Sequence, residues 1–277
     1  MIAIQDLGYY YSKKKPLFDA LRLHFFPGKI YGLLGKNGAG KSTLIKHITG
    51  MLFPNAGNCK VFGYVPQNRE VNFLKEIFFV PEEYYLPNLK IQILLNTYKG
   101  FYPNFNTAQF MGYLKEFKIG KDRKTSDLSL GQKKKIAIGF ALATNTKVLI
   151  MDEPTNGLDI PSKITFRKMV KDAFAKNRIV IITSHQVRDL DELIDHLIIM
   201  NQGRILLDED KNHIAQRLLF EVSRSEPHGN YIYKEQLSHG YATIGKNTTA
   251  ALGYVDIELL FNAVLFNEDR INLLLQS

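Results

Sequence analysis

Cysteine is almost missing from this 277-residue chain: Cys59 stands alone. That excludes a disulfide framework and a cysteine-rich metal site, and it fits a reducing compartment. With no partner thiol, Cys59 reads as a small apolar residue. Long hydrophobic runs are missing too. The longest, "VLIM" from 148 and "IVII" from 179, are strand-sized, well under the roughly 18 residues a spanning helix requires. The opening "MIAIQDLGYYYSKKK" puts its lysines after a short mixed segment, so a secretory signal is not expected. No internal repeat or low-complexity tract stands out.

Acidic residues are outnumbered, 27 against 36 basic ones, for a net charge of +9. The excess falls in short clusters at 13–15 and 133–135 rather than in a stripe or tail. Such a balance permits nucleic acid or an anionic membrane surface as a partner and selects neither.

What is present is a pattern of short apolar runs with helices between them. "KIYGLLG" (29–35), "EIFFVP" (76–81), "KVLIMDE" (147–153) and "RIVIITS" (178–184) read as buried strands. "PSKITFRKMVKDAFAKN" reads as a helix with Pro161 in its first turn, stopping near Asn177. Strands alternating with helices predict a parallel sheet covered on both faces. Between about 88 and 145 only helical patterns occur, which reads as a helical insertion. After about 210 the alternation stops. There "YVDIELLFNAVLF" predicts an amphipathic helix capped by Asp256, with Ile257, Leu260, Phe261, Val264 and Leu265 on one face.

"GKNGAGKST" (35–43) follows a predicted strand and opens a predicted helix, the context of a P-loop. Gly35, Gly38 and Gly40 let backbone N–H groups curl around phosphate oxygens; Lys41 supplies a charge to the β- and γ-phosphates and Ser42 a hydroxyl to Mg²⁺. "VLIMDE" delivers Asp152 and Glu153 at the end of a buried strand. Asp152 suits outer-sphere Mg²⁺ binding and Glu153 suits general-base duty on the attacking water. Isolated acidic turns are common; one paired with a P-loop is not. "IITSH" ends the next strand with His185, within reach of a γ-phosphate, whereas His196 reads as an ordinary packed or surface histidine. "DLSLGQ" puts Ser129 and Gly131 at a second helix start, another anion-binding geometry.

In this order the residues resemble the ATPase subunit of an ABC transporter. The P-loop, "LSLGQ" (128–132), "LIMDEP" (149–154), "NGLD" (156–159) and "TSH" (183–185) match the family's five motifs over about residues 1–208, and the stretches from 142 and 183 are similar to cassettes serving exporters of the second structural type. The resemblance implies an α/β fold: a P-loop NTPase (RecA-like) core, an antiparallel β subdomain and an inserted helical subdomain (88–145). The cassette would span 1–210, with a small accessory segment at 211–277. ATP and Mg²⁺ are the implied cofactors. Asn37 and Thr43 complete the P-loop ligands, and Tyr11 is the aromatic expected to stack on adenine, with Tyr10 behind it. The implied partners are a second cassette, identical or paralogous, and a separate permease, with the chain peripheral on the cytoplasmic face of the membrane. Ser129, Gly131, Gln132 and Asp159 would then meet the nucleotide held by the neighbouring cassette.

Two departures stand out. Leu130 replaces the signature's usual third-position glycine, predicting altered packing. The family's Mg²⁺-binding glutamine has a decoy in Gln67 of "GYVPQN", only 26 residues after Lys41; Glu82, 41 residues after it and just before the helical insertion, fits the role better. A nucleic-acid or ribosomal ATPase is the alternative. Chromosome-type relatives interpose long coiled coils between P-loop and signature, while Lys41 and Ser129 are 88 residues apart. Translation-type relatives carry two cassettes, and no nucleic acid is expected here. A module with inert sites would not need Glu153 and His185.

Overall fold

In the computed structural model, which describes residues 1–12, 15–185, 190–227, 229, 231–249 and 252–276, alternation of apolar residues decides which layer each element joins. Strands β1 (Ile2–Tyr9) and β2 (Phe18–Phe25) pair antiparallel; β2 buries Phe18, Leu21, Leu23 and Phe25, while the central β1 buries Ile2, Ala3 and Ile4 in succession. Next come β3 (Lys29–Leu34), helix α1 (Lys41–Ile48) and β4 (Ala56–Val61), which closes an antiparallel sheet in the order β2-β1-β4. A short α2 (Val71–Leu74) leads to β5 (Ile77–Val80). Between 88 and 145 the chain forms α3 (Ile91–Tyr98), α4 (Thr107–Glu116) and α5 (Leu130–Ala143), with no strand among the described residues.

Strand β6 (Val148–Asp152), helix α6 (Ile160–Ala173) and β7 (Ile179–Ser184) return to the alternating pattern, followed by the hairpin β8 (His196–Asn201) and β9 (Arg204–Asp210). The main sheet runs β5-β6-β7-β3-β8-β9, parallel from β5 to β8 with β9 antiparallel at the edge. Both faces of β6 and β7 are buried, which is why those strands are apolar throughout. On β3, Ile30 and Leu34 point into one core with the helical insertion and α6; Tyr31 and Leu33 point into the other, with α1 and the antiparallel sheet. This order sets the C-terminal ends of β6, β7 and β3 side by side, where an open α/β sheet presents its ligand crevice.

Helix α6 ends earlier than its pattern suggests. Phe174 turns to an extended conformation (φ −74°, ψ 133°) with its half-buried ring packed against the core, and the helix ends four residues short of Asn177. The chain beyond 210 is richer than a lone helix. After α7 (Lys211–Arg217), strands β10 (Leu218–Ser223), β11 (Tyr231–Leu237) and β12 (Gly240–Lys246) form an antiparallel sheet in the order β10-β12-β11. Helix α8 (Ile257–Gln276) starts where expected: Asp256 Oδ1 accepts the Leu259 N–H at 2.9 Å, and Ile257, Leu260 and Val264 are buried. Leu207 of β9, Ile214 of α7 and Leu260 of α8 belong to the same continuous core as Ile182 and Leu197. The core therefore runs across the junction at 210.

Candidate nucleotide site

The turn from β3 into α1 surrounds a cavity of about 580 Å³ lined by Tyr11, residues 37–43, Glu82, Asp152, Glu153 and His185. Its glycines have unequal duties. Gly38 adopts φ +79° and faces open space, the position where backbone meets a ligand. At Gly40 (φ +109°) a Cβ would instead press to 2.9 Å from the Phe18 ring, so that glycine also serves packing against β2. Helix α1 has no side-chain N-cap, which leaves its first N–H groups to a ligand. Lys41 is buried, its ammonium donating to the carbonyls of Gly35 (2.6 Å) and Lys36 (3.3 Å). Burial pulls its pKa down, while Glu153, Asp152 and Glu82 pull it back up.

Thr183 aligns the two carboxylates at the end of β6. Its hydroxyl donates to Asp152 Oδ1 at 2.5 Å and accepts the Glu153 N–H at 3.0 Å, so β7 holds the turn that follows β6. Ser42 Oγ donates to Asp152 Oδ2 at 3.1 Å. Glu153 sits at φ +47°, a conformation that side chains of its kind rarely adopt, and this strain turns its carboxylate toward the cavity. His185 Nδ1 lies 2.9 Å from Glu153 Oε1. Burial pushes the Glu153 carboxyl above its ordinary pKa, with His185 and then Lys41 opposing. Glu153 Oε2 is buried with no partner among the described residues, an acceptor waiting for a proton-bearing ligand such as water.

These groups suit Mg²⁺ and a triphosphate. Ser42, Asp152 and Glu82 offer hard oxygen ligands around one cavity. Among the described residues no three His, Cys, Asp or Glu side chains gather to hold a metal unaided. Mg²⁺ keeps several waters and shares substrate phosphates, so a sparse donor set is what it needs. Tyr11 is exposed above the cavity; its hydroxyl and that of Thr43 share a hydrogen bond at 3.0 Å. Tyr9 is buried and meets Tyr11 edge-on, and Tyr10 lies outside the cavity with its N–H on Asn55. Gln67 is an exposed residue of a 3₁₀ turn and does not line the cavity, whereas Glu82 does.

Ser129, Gly131, Gln132 and Asp159 stand apart from that cavity. Ser129 caps α5 reciprocally with Gln132: its Oγ accepts the Gln132 N–H and its own N–H donates to Gln132 Oε1, both at 3.2 Å. Gln132 is thus committed to the cap, while the Ser129 hydroxyl proton stays available. Leu130 is 84% exposed at the tip. Asp159 caps α6, accepting the Ser162 N–H at 2.8 Å, and lies 3.8 Å from Lys135.

Sequence reasoning missed Asn156 and Lys134. Asn156 Nδ2 donates to Glu82 Oε1 at 3.1 Å. Lys134 is buried, and its ammonium donates to the carbonyls of Glu153 (3.1 Å) and Asn156 (3.0 Å). The 133–135 run is therefore not an exposed basic patch, and Lys13 and Lys14 of the other cluster lie outside the described residues. No local signal marked Lys134; only its place on the buried side of α5 does. His196 is an ordinary half-buried residue at the start of the interior strand β8, its Nε2 2.7 Å from Asp208 Oδ1.

The family model for ABC transporters matches residues 18–156. The bacitracin transport ATP-binding protein BcrA of Bacillus licheniformis is 30% identical over 232 residues, covering 78% of this chain and 72% of that protein. The chain belongs to the ABC transporter family. It is an ATP-binding cassette with ATPase activity, built on the mixed α/β P-loop fold. A solved ATP binding subunit of an ABC transporter shares that fold at TM-score 0.70 and 24% identity, over 77% of this chain and 91% of that one. The structure of cbiO1 from Clostridium perfringens, described as part of the ABC transporter complex cbiONQ, aligns at TM-score 0.60 and 26% identity, over 76% and 88%. Among the described residues no helix is long and apolar enough to cross a membrane.

Proposed function

We propose that this cassette drives a separate membrane permease from the cytoplasmic face by pairing head to tail with a second cassette around ATP. One observation carries the reading. The cavity that gathers Lys41, Asp152, Glu153 and His185 lacks Ser129 and Gly131, which lie on an exposed helix tip of the same chain. Each copy then owns two unlike half-sites, and a two-fold pair completes both.

In the closed pair, Lys41 and the N–H groups of α1 hold the β- and γ-phosphates, and Tyr11 stacks on the base. The Ser129 hydroxyl and Gly131 N–H of the opposing copy donate to the γ-phosphate, with the α5 dipole adding favourable charge. Ser42, with Asp152 and Glu82 lining the same cavity, would hold Mg²⁺, which when bound would supply charge neutralisation at the phosphates. Glu153 takes the proton of the attacking water, and His185 keeps that carboxylate oriented and ionised. Loss of the γ-phosphate removes the shared ligand, and the pair opens.

An apolar cavity of about 360 Å³ between β5 and the helical insertion, lined by Phe79, Tyr84, Leu94, Tyr98, Phe101 and Phe140 among others, suits the apolar face of a short permease helix. It lies directly beside the 81–87 segment that carries Glu82, so occupancy there can act on the Mg²⁺ ligand.

The test is the Glu153→Gln chain saturated with ATP and magnesium. It should elute at twice the monomer mass, with turnover lowered about a thousandfold. A variant that binds ATP yet stays monomeric, alone or mixed with a cognate cassette, overturns the pairing.

A further inference from the structure

Three carboxylates, Asp152, Glu153 and Glu82, face the cavity that would receive a triphosphate, and Lys41 is the ammonium on its wall. Asp152 and Glu153 are buried, and Glu82 sits at the exposed rim; like charges around one cavity repel more strongly the less water lies between them. The carboxylate at position 82 adds a third negative charge to that cavity.

We infer that Lys134 is the counter-charge for Glu82, joined to it through Asn156, and that it holds the Mg²⁺-side carboxylate in register with the turn after β6. Three observations support this. Lys134 is only 8% exposed, although lysine seldom occupies a buried helix face without a charge to answer. Its contacts are both carbonyls, Glu153 O and Asn156 O, and a pair of neutral acceptors leaves most of a full charge for the carboxylates behind them. Asn156 meets both ends: its carbonyl accepts from Lys134 while its amide donates to Glu82 Oε1. The path runs from α5, whose tip would face the opposing nucleotide, to the carboxylate beside the chain's own. Gly131 packs against the same turn, where an added Cβ would come within 3.1 Å of Gly157 O.

Lys134 touches no reacting atom in this arrangement; it is a positioning residue. The inference rests on the reading of the cavity as the MgATP site. Its rival is that Lys134 merely ties down two carbonyls, and Lys134→Gln separates the two, because an amide keeps N–H donors and removes the charge.

Affinity for a fluorescent ATP analogue, with magnesium and with EDTA, is measured on the full chain for wild type, Lys134→Gln, Glu82→Gln and the double variant, with melting temperatures recorded alongside. Lys134→Gln should weaken magnesium–nucleotide binding about tenfold when Glu82 is present and less than about twofold in the Glu82→Gln background. Lys134→Arg should restore binding to near wild type. Equal losses in both backgrounds, or no loss, overturn the inference and leave the ATP site standing. A wild-type chain that binds no nucleotide overturns both. Should Lys134→Gln not fold, Asn156→Ala cuts the path with the ammonium still present. Its loss of affinity should likewise vanish when Glu82 is replaced, and an equal loss in both backgrounds counts against the inference.

Discussion

Helices α1 and α5 both begin with geometry that suits an anion, yet the chain finishes them differently. At α1 the loop is packed under Phe18 and Met200, Lys41 is buried, and two strands bring carboxylates to the same cavity. At α5 the Ser129–Gln132 cap satisfies the N–H groups of those two residues, and Leu130 projects into solvent. One receptor gathers its lysine, hydroxyl and carboxylates within a single polypeptide. The other is a preorganised surface apart from that cavity, the arrangement that the proposed pairing with a second cassette would use.

The sharpest way to break this contrast is to damage each receptor in turn. Lys41→Ala should abolish nucleotide binding and turnover together. Ser129→Glu should leave the monomer's ATP affinity within about twofold while lowering turnover about a hundredfold, the scale of losing a donor to transition-state charge. Calorimetric ATP titration and phosphate release read the two effects separately. A Ser129→Glu chain that loses binding as Lys41→Ala does would mean that α5 serves its own chain's site.

A smaller effect tests the completed side. Burial raises the Glu153 pKa and the His185 contact lowers it. The base works ionised, so activity falls on the acid side as Glu153 takes up a proton. His185→Ala removes the larger of the two influences that oppose burial, leaving Lys41, and should move that acid limb of the pH–rate profile to higher pH, with turnover down roughly tenfold at its maximum. A limb that stays in place or moves to lower pH would remove Glu153 as the titrating base.

The smallest difference expected concerns the two candidates for the Mg²⁺-side ligand. Gln67→Ala should leave turnover and its magnesium dependence unchanged, since Gln67 sits on an exposed turn away from the cavity. Glu82→Gln should change the magnesium concentration for half-maximal turnover a few-fold, on the order of one carboxylate–cation interaction. The reverse pattern would transfer the role to Gln67.

Much of the α1 receptor was legible because its parts are local in the chain: a strand, a glycine turn, a lysine and a hydroxyl at set spacing. The carboxylates and His185 were legible because each terminates an apolar run, and an apolar run bounded by polar residues reads as a buried strand end. Strands β10–β12 were not, because half of their residues are half-buried and their burial lacks a clean two-residue alternation. Asn156 was visible in "NGLD", but no role for it was legible. Its partner Glu82 is 74 residues away, and no periodicity links a turn after one strand to a loop after its neighbour.

Residue order alone thus settled which groups exist and which strand or helix end bears each, since backbone periodicity and turn chemistry act over a few residues. Folding in three dimensions decided which ends meet. Laying β6, β7 and β3 side by side brings Asp152, Glu153 and His185 to Lys41 and leaves Ser129 outside. Turning α5 to bury Lys134 converts one lysine of a basic run into a charge aimed at the site. Those outcomes depend on contacts between distant segments, whose energies no local window contains.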